Sequence, residues 1–303
     1  MRETMNTKAL HYFVTIVELK SFSRASEALH VAQSALSVAM KKLESSIGLT
    51  LLHRHEKGVQ LTDEGTRLYN HAKQILQKLQ DAELEMQELK GLVKGEVRLG
   101  VPSMMGSYFF PDILMAFKQQ YPGLKMTIID AGTQSIRKML IDGELDLGVI
   151  LNESVPDSLE IEPLIEDEML AVVSPQHNFA AQQTISIHEF FSQELIMFKK
   201  GYFHREMVDK LCIQYGLEPN ISIETNLIPM ILKVVQKDFA IGALLKLVTE
   251  QEKGVIGIPF EQSITLKIGM AWRKAGYLSV ADKAFMEFTK QALPALVGRH
   301  HLI

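Results

Sequence analysis

The fold of the first part of the chain is decided by residues 21–54, which read SFSRASEALHVAQSALSVAMKKLESSIGLTLLHR. The pattern predicts two helices joined by a short turn at residues 30–32. Ser23 is expected to cap the first of them. The second places four apolar residues on one side: Leu36, Met40, Leu43 and Ile47. An apolar stripe at residues 10–17 predicts one more helix before this pair, so we expect three helices around a shared core.

The opposite side of the third predicted helix offers short polar side chains and a cation. A helix that enters the major groove of DNA needs such a side, because it reads base edges through hydrogen bonds. Gln33 can pair with adenine, and Ser34 and Ser37 are small enough for a close approach. Lys41 can reach a guanine edge or a phosphate. For an isolated helix, a plain solvated face would be the preferred interpretation.

Two short strands are predicted directly after this helix, at residues 51–54 and 59–62, around the turn-like triplet Glu56-Lys57-Gly58. A hairpin at this position forms a wing, and the unit becomes a winged helix-turn-helix. Arg54 and Lys57 are expected to face the phosphate backbone, which supplies affinity without sequence information. For Lys57, solvation at a loop tip is an equally good interpretation.

A long helix is predicted from Asp63 to about Lys90, a stretch without proline. Its apolar residues alternate steps of four and three: Leu68, Ala72, Ile75, Leu79, Ala82, Met86, Leu89 and Val93. Such a heptad seam is typical of a helix that pairs with another helix. A helix packed onto its own domain is the alternative. The length of the pattern favours a homodimer, which would present two reading heads to a pseudo-palindromic DNA site.

A different pattern starts after Gly95, where short apolar strands alternate with helices. This alternation predicts an α/β fold with a parallel sheet. Ligands of such sheets lie beyond the carboxyl ends of the strands. Ser103 follows the first strand and Thr133 follows the second, and each opens a helix whose N–H groups can bind an anion. Each also has the plainer interpretation of a cap or turn residue.

Composition limits the classes of function. The 303 residues carry a formal net charge of −4, and Lys and Arg outnumber Asp and Glu only before Gly95, which favours DNA binding there weakly. A single cysteine, Cys212, fits a reducing cytoplasm. We predict no leader peptide and no membrane span, and hence a cytoplasmic protein. Walker, Gly-x-Ser-x-Gly and His-Glu-x-x-His motifs are absent, so we expect no enzyme activity, no cofactor and no metal.

The run from Leu10 to Gly65 resembles the DNA-binding domain of LysR-type transcriptional regulators. The resemblance is carried by Tyr12-Phe13, residues 21–25, Ala28-Leu29, residues 33–37, Leu43-Glu44, Gly48, residues 51–54 and residues 61–65. It implies that Gln33, Ser34 and Ser37 contact bases and that Arg54 contacts a phosphate. The family usually has Ser at Ala32, Phe at Leu52 and often Arg at Val38. The third helix therefore lacks an expected cap, and its sequence preference is expected to differ from that of close relatives.

The second section resembles the effector-binding domain of the same family, which is similar to two-lobed periplasmic binding proteins. This resemblance is carried by Tyr121-Pro122-Gly123 and by residues 142–147 and 239–245. It implies an effector pocket formed by Ser103, Thr133, Phe198, Tyr202 and Asn226. Nearby cationic candidates for a carboxylate are Lys199, Lys200 and His204. The family commonly has glycine where Asp238 and Ala240 stand, which leaves the shape of that loop open.

The sequence thus predicts a winged helix-turn-helix over residues 1–62, a linker helix over 63–94 and an effector domain over 95–303. One lobe is expected to span about 95–168 and 266–303, and the other about 169–265. The expected function is sequence-specific transcriptional regulation modulated by a small effector, an organic anion. Expected partners are double-stranded promoter DNA, further copies in a homodimer or homotetramer, and RNA polymerase. Alternatives are an effector-independent DNA-binding dimer and, less favoured, a solute-binding protein.

Overall fold

The computed structural model describes residues 5–55, 58–89 and 95–300, with side chains described to residue 293. Backbone contacts divide the chain into two compact units, Met1–Leu92 and Val93–Ile303. Each unit encloses its own hydrophobic core.

The first unit begins with three helices, α1 (Thr7–Leu19), α2 (Phe22–Ala28) and α3 (Gln33–Ile47). Their apolar sides meet in a core that includes Phe13 and Ile16 of α1 and Leu36, Met40 and Leu43 of α3. The predicted apolar side of the third helix is confirmed, because these three α3 residues are fully buried.

The starts of α2 and α3 differ in how they are capped. Ser21, and not Ser23 as the sequence pattern predicts, accepts the hydrogen bond from the Arg24 N–H. The prediction was wrong because α2 begins at Phe22, which places Ser23 inside the first turn. Ala32 precedes α3 and makes no side-chain cap. The expected loss of a cap at this position is therefore confirmed.

The wing consists of two antiparallel strands, β1 (Leu52–His55) and β2 (Gly58–Leu61), each displaced by one residue from its prediction. The Glu44 carboxylate holds the start of the wing, since it accepts hydrogen bonds from the Leu51 and Leu52 N–H groups at 2.8 and 3.2 Å. The wing is thereby fastened to α3, which carries Glu44.

The long helix α4 (Asp63–Leu89) has a seam that changes character along its length. Ala72 is fully buried and Leu68 packs against the core of the first unit. Beyond them Ile75, Leu79, Met86 and Leu89 are exposed, Leu89 by 75%. The first turns of α4 therefore pack on their own unit, as the alternative interpretation of the seam expects, and the rest presents an exposed apolar stripe.

The second unit is an α/β structure with two lobes. Its strands are β3 (Glu96–Val101), β4 (Lys125–Asp130), β5 (Leu147–Leu151), β6 (Leu159–Val173), β7 (Leu195–Met197), β8 (Ile221–Glu224), β9 (Gly242–Leu245) and β10 (Ile256–Arg273). Its helices are α5 (Phe110–Gln120), α6 (Thr133–Asp142), α7 (Ile187–Phe191), α8 (Phe203–Tyr215), α9 (Ile228–Gln236), α10 (Lys246–Gln251) and α11 (Val280–His300). A π-helical turn at Met105–Phe109 leads into α5.

The main sheet has six strands in the order β4-β3-β5-β10-β6-β9. It is mixed, which corrects the prediction of a parallel sheet: β3 runs parallel to β4 and β5, but β10 runs antiparallel to β5 and β6. The two longest strands, β6 and β10, pair along nearly their whole length and pass from one lobe to the other. Their register shifts between Pro259 and Ile264 and between Ile268 and Gly269, and such irregularities bend strands.

Candidate DNA-binding and effector sites

The predicted DNA-reading side of α3 is solvent-facing. Gln33, Ser34 and Lys41 are exposed, and Ser37 is half-buried between them. Val38 stands on the same side and is 52% exposed, although its apolar side chain cannot donate or accept a hydrogen bond. The helix therefore offers an amide, two hydroxyls and a cation along one side while the other side is anchored in the core.

Gln33 is held in place by a residue that the sequence reasoning assigned to another role. The Ser23 hydroxyl on α2 donates to Gln33 Oε1 over 3.1 Å. The Gln33 amide keeps its N–H donors for an external partner. A contact across ten residues follows neither helical nor strand periodicity, so the sequence pattern gave no signal for it.

Arg54 lies on β1 with its guanidinium over the ring of Phe22, 4.4 Å from the ring centre. This cation–π contact limits the freedom of a long side chain near the turn of the wing. Arg54 is exposed and retains donors for a phosphate. The predicted contact Lys57 lies outside the described residues.

Ser103 and Asp130 form the first part of a polar cluster in the second unit. Ser103 follows the end of β3, and its hydroxyl donates to both carboxylate oxygens of Asp130, at 2.8 and 3.0 Å. Asp130 is the last residue of β4 and is exposed. The sequence reasoning missed Asp130 because it considered only residues beyond the strand ends. The sequence does carry one signal for Asp130, because it is an acidic residue at the end of a predicted parallel strand.

The two lobes touch at the N-terminus of α6. Gly132 precedes this helix and gives it no side-chain cap, and the Gln134 N–H donates to the Gly201 carbonyl over 3.4 Å. A Cβ atom at Gly132 would lie 2.4 Å from that carbonyl oxygen, so only glycine allows this approach. Beside it the Thr133 side chain is fully buried, and its Oγ1 has no hydrogen-bond partner among the described residues.

The second lobe supplies an aromatic wall and an amide. The ring centre of Phe198 lies 6.0 Å from that of Tyr202, and the Asn226 Oδ1 accepts the Lys199 N–H over 3.1 Å. Burial raises the pKa of the Tyr202 hydroxyl, and so does the negative charge of Asp130 across the cleft. The structure thus brings together all five sequence-predicted effector residues. With Asp130 they form what we call the cleft cluster: Ser103, Asp130, Thr133, Phe198, Tyr202 and Asn226.

The three cationic candidates near the cleft cluster differ in charge and exposure. His204 is 1% exposed, and burial holds its pKa well below the usual histidine value. Burial thus disfavours the positive charge that the sequence led us to expect at His204. Both ring nitrogens lack a hydrogen-bond partner among the described residues. Lys199 and Lys200 are exposed, and their positive charges act on Glu224, whose pKa is lowered chiefly by Arg205.

Two further findings concern metals and membranes. In the described part of the chain, no three His, Cys, Asp or Glu side chains are grouped so as to hold a metal ion. None of the helices found in that part combines the length and the apolar character that a membrane crossing needs.

Two family models match the chain, one on each unit. The bacterial regulatory helix-turn-helix protein model of the lysR family matches residues 7–66, and the LysR substrate binding domain model matches residues 90–294. The chain belongs to the LysR family. LysR-family proteins are transcriptional regulators and not enzymes. In this family the winged helix-turn-helix is the DNA-binding part, and the two-lobed unit is the effector-binding domain that modulates it.

Individual proteins are similar to this chain over nearly its whole length. The uncharacterized HTH-type transcriptional regulator YwbI of Bacillus subtilis (strain 168) is 30% identical over 292 residues, which is 95% of this chain and 97% of that protein. HinK, a LysR family regulator from Pseudomonas aeruginosa, is 26% identical with a TM-score of 0.58, covering 95% of this chain and 98% of its own. A variant of full-length OxyR from Pseudomonas aeruginosa shares the fold, with a TM-score of 0.73, 22% identity and coverage of 94% and 95%.

Proposed function

We propose that this LysR-family regulator reads promoter DNA with α3, and that Gln33, Ser34 and Ser37 contact base edges. Lys41, Arg54 and Lys57 contact the phosphate backbone in this proposal. The observation that carries the proposal is the exposed polar side of α3 above a fully buried apolar side. A helix anchored in this way leaves its free side for the major groove.

The effector is proposed to be a small organic anion that binds between the two lobes, in a domain that spans residues 95–303. Support comes from the cleft cluster, to which both lobes contribute, and from the uncapped N-terminus of α6 beside Thr133. A helix N-terminus favours negative charge. Binding would change the angle between the lobes, which β6 and β10 connect. The effector regulates only if its affinity differs between the two arrangements.

The assembly is proposed to be a homodimer through α4, and a homotetramer through further contacts between effector domains. The exposed part of the α4 seam supports the dimer, because an apolar stripe of this length is stabilised by a second helix. Met115 and Ile128 in one lobe and Leu227 and Met230 in the other are exposed as well, and these side chains are available for a second interface. Contact with RNA polymerase and a cytoplasmic location complete the proposal.

The test is a DNA-binding assay of the full-length protein on the segment upstream of its own gene, with and without pooled metabolites. If the proposal holds, the protein forms a complex with this segment, and an excess of random duplex of equal length does not displace it at moderate salt. A metabolite pool that changes the amount of this complex would contain the effector. Equal binding to the segment and to random duplex would count against the proposal for this promoter, and the same assay on fragmented genomic DNA extends the test to all promoters.

A further inference from the structure

The cleft cluster contains a carboxylate whose capacity for hydrogen bonds is largely unused. Asp130 accepts from the Ser103 hydroxyl, and no second donor to its side chain is found among the described residues. A carboxylate offers about four lone-pair sites to donors. The exposed Asp130 side chain is therefore a negatively charged acceptor that faces the site where the effector is proposed to bind.

Asp130 is close enough to Thr133 for one small molecule to reach both. Only two residues lie between them, so their Cα atoms are no more than about 11 Å apart. The second lobe reaches the same place, because the Gly201 carbonyl accepts the Gln134 N–H and the Tyr202 ring lies against Gly132. An effector held at the start of α6 thus also comes within reach of the Asp130 carboxylate.

Unpartnered buried atoms indicate independently that the cleft cluster is made for a ligand. Thr133 Oγ1 and both ring nitrogens of His204 are buried without a hydrogen-bond partner among the described residues. The His204 ring stacks on Phe198, with ring centres 4.7 Å apart. Buried polar groups in folded proteins are nearly always satisfied by protein, water or ligand. Within the cleft cluster, Thr133 Oγ1 is thus a buried group with unused hydrogen-bonding capacity, and Asp130 is an exposed one.

We infer that the effector is a small carboxylic acid that also carries a hydroxyl or ammonium group, and that Asp130 accepts a hydrogen bond from this group. The inference rests on the proposed effector site and adds the chemical class of its ligand. A purely anionic molecule would be repelled by the Asp130 charge, whereas a donor group is attracted to it. Through this hydrogen bond, Asp130 makes the protein bind hydroxy and amino acids more tightly than plain acids, which lack such a group.

The first experiment compares matched compounds on the full-length protein. Each plain acid is tested beside its hydroxy and amino derivatives, for example succinate, malate and aspartate, or propionate, lactate and alanine. The readouts are the ligand-induced rise in melting temperature and the change in DNA binding. The compounds that bind are expected to be the hydroxy or amino derivatives. A plain acid that binds as tightly as its derivatives would overturn the inference.

The second experiment measures the affinity of the best compound for Asp130→Asn. This variant keeps the size of the side chain and removes its charge, and the affinity is expected to fall about tenfold or more, the loss of a charge-assisted hydrogen bond. Asp157→Asn is the matched control, since Asp157 is an exposed carboxylate of the same unit outside the cleft cluster. Unchanged affinity in Asp130→Asn would overturn the inference.

Thr133→Val separates ligand binding from folding. The hydroxyl is buried and unpartnered, so its replacement by a methyl group is expected to leave the melting temperature of the free protein unchanged or raised. The affinity for the ligand is expected to fall, and a fall in melting temperature without a loss of affinity would overturn the role of Thr133. A protein that binds its promoter and responds to a plain acid as strongly as to its hydroxy and amino derivatives overturns this inference alone. A protein without preference for any DNA overturns the proposed function as well.

Discussion

Asp238 stands where the family commonly has glycine, and its backbone is left-handed. Its φ of 57° lies in the left-handed region, and the buried Ser174 hydroxyl donates to its Oδ1 over 2.8 Å. Aspartate tolerates this region better than most residues because its short polar side chain bonds locally. The loop thus keeps a glycine-like turn at Asp238, whereas Ala240 does not adopt a positive φ. The shape of this loop could not be predicted from the sequence, because Asp238 is held by Ser174, which lies 64 residues earlier in the chain.

Gly132→Ala tests the contact between the lobes at the residue scale. The added Cβ would lie 2.4 Å from the Gly201 carbonyl oxygen, and we expect the free energy of unfolding to fall by about 1–3 kcal/mol through overpacking. Urea unfolding followed by the fluorescence of Trp272, the single tryptophan, measures the change. Gly123→Ala is the control because its Cβ meets nothing within 4 Å. Equal effects of the two substitutions would contradict the close approach.

Gln33→Ala and Arg54→Ala separate base reading from phosphate contact. The loss of the Gln33 amide is expected to remove sequence preference and to leave weak, salt-sensitive binding. Arg54→Ala is expected to weaken binding to all sequences alike and to reduce the salt slope by about one. Fluorescence anisotropy on specific and random duplexes at several salt concentrations measures both effects. Full specificity in Gln33→Ala would refute its assignment to a base edge.

At the scale of elements, the exposed part of α4 is the surface through which we propose that two copies pair. Met86→Glu places a charge in the apolar stripe, where Met86 is 51% exposed in the single chain. We expect the molar mass in solution to fall to a smaller assembly, because a buried unpaired charge opposes pairing. Gln80→Glu adds the same charge beside the stripe and is the control. Analytical ultracentrifugation that gives the same mass for Met86→Glu and for the unaltered protein would contradict pairing through this helix.

The start of α11 carries a buried acid that makes stability depend on pH. Asp282 is 2% exposed and accepts the Ser279 N–H and hydroxyl at 2.9 and 2.7 Å. Burial, and then the negative charge of Asp146, raise its pKa from 3.8 to about 7. The folded state therefore binds its proton more tightly than the unfolded state does. The stabilisation is fully present below about pH 4 and is lost as the pH rises through about 7.

The expected result is that the free energy of unfolding at about pH 8, relative to its value at about pH 5, is higher in Asp282→Asn than in the unaltered protein, because the variant lacks the stability that Asp282 loses over this range. Burial of His204 acts in the opposite direction, but it does so equally in both proteins. The asparagine keeps an acceptor for Ser279 and does not titrate. Urea unfolding followed by Trp272 fluorescence reports on the correct unit, since Trp272 lies on β10. Asp157→Asn controls for the loss of a surface carboxylate. An identical pH dependence in Asp282→Asn and the unaltered protein would assign the effect to other groups.

Across the whole molecule, helical periodicity and turn chemistry were sufficient for the first unit. The apolar side of α3 and the start of α4 appear where the pattern places them and the wing strands within one residue, because each is decided by neighbours in the sequence. The mixed sheet was not predictable in this way. The first half of β6 is rich in acidic residues and only partly buried, which hides its strand character, and its partner β10 lies about 100 residues later.

The candidate effector site was also predictable from the sequence only in part. The resemblance placed Ser103, Thr133, Phe198, Tyr202 and Asn226, and the structure brings them into one cluster. Their role in binding remains a proposal. The lowered pKa of His204 and the acceptor at Asp130 depend on tertiary packing and charge, which a linear pattern does not contain.

The most direct test of the central claim, sequence-specific reading of DNA by a paired regulator, is selection of sites by the full-length protein from randomised duplexes. The account predicts enrichment of one motif with two-fold symmetric half-sites that face the same side of the duplex, as two paired copies of α3 require. Repeated rounds at moderate salt that enrich no motif would contradict it.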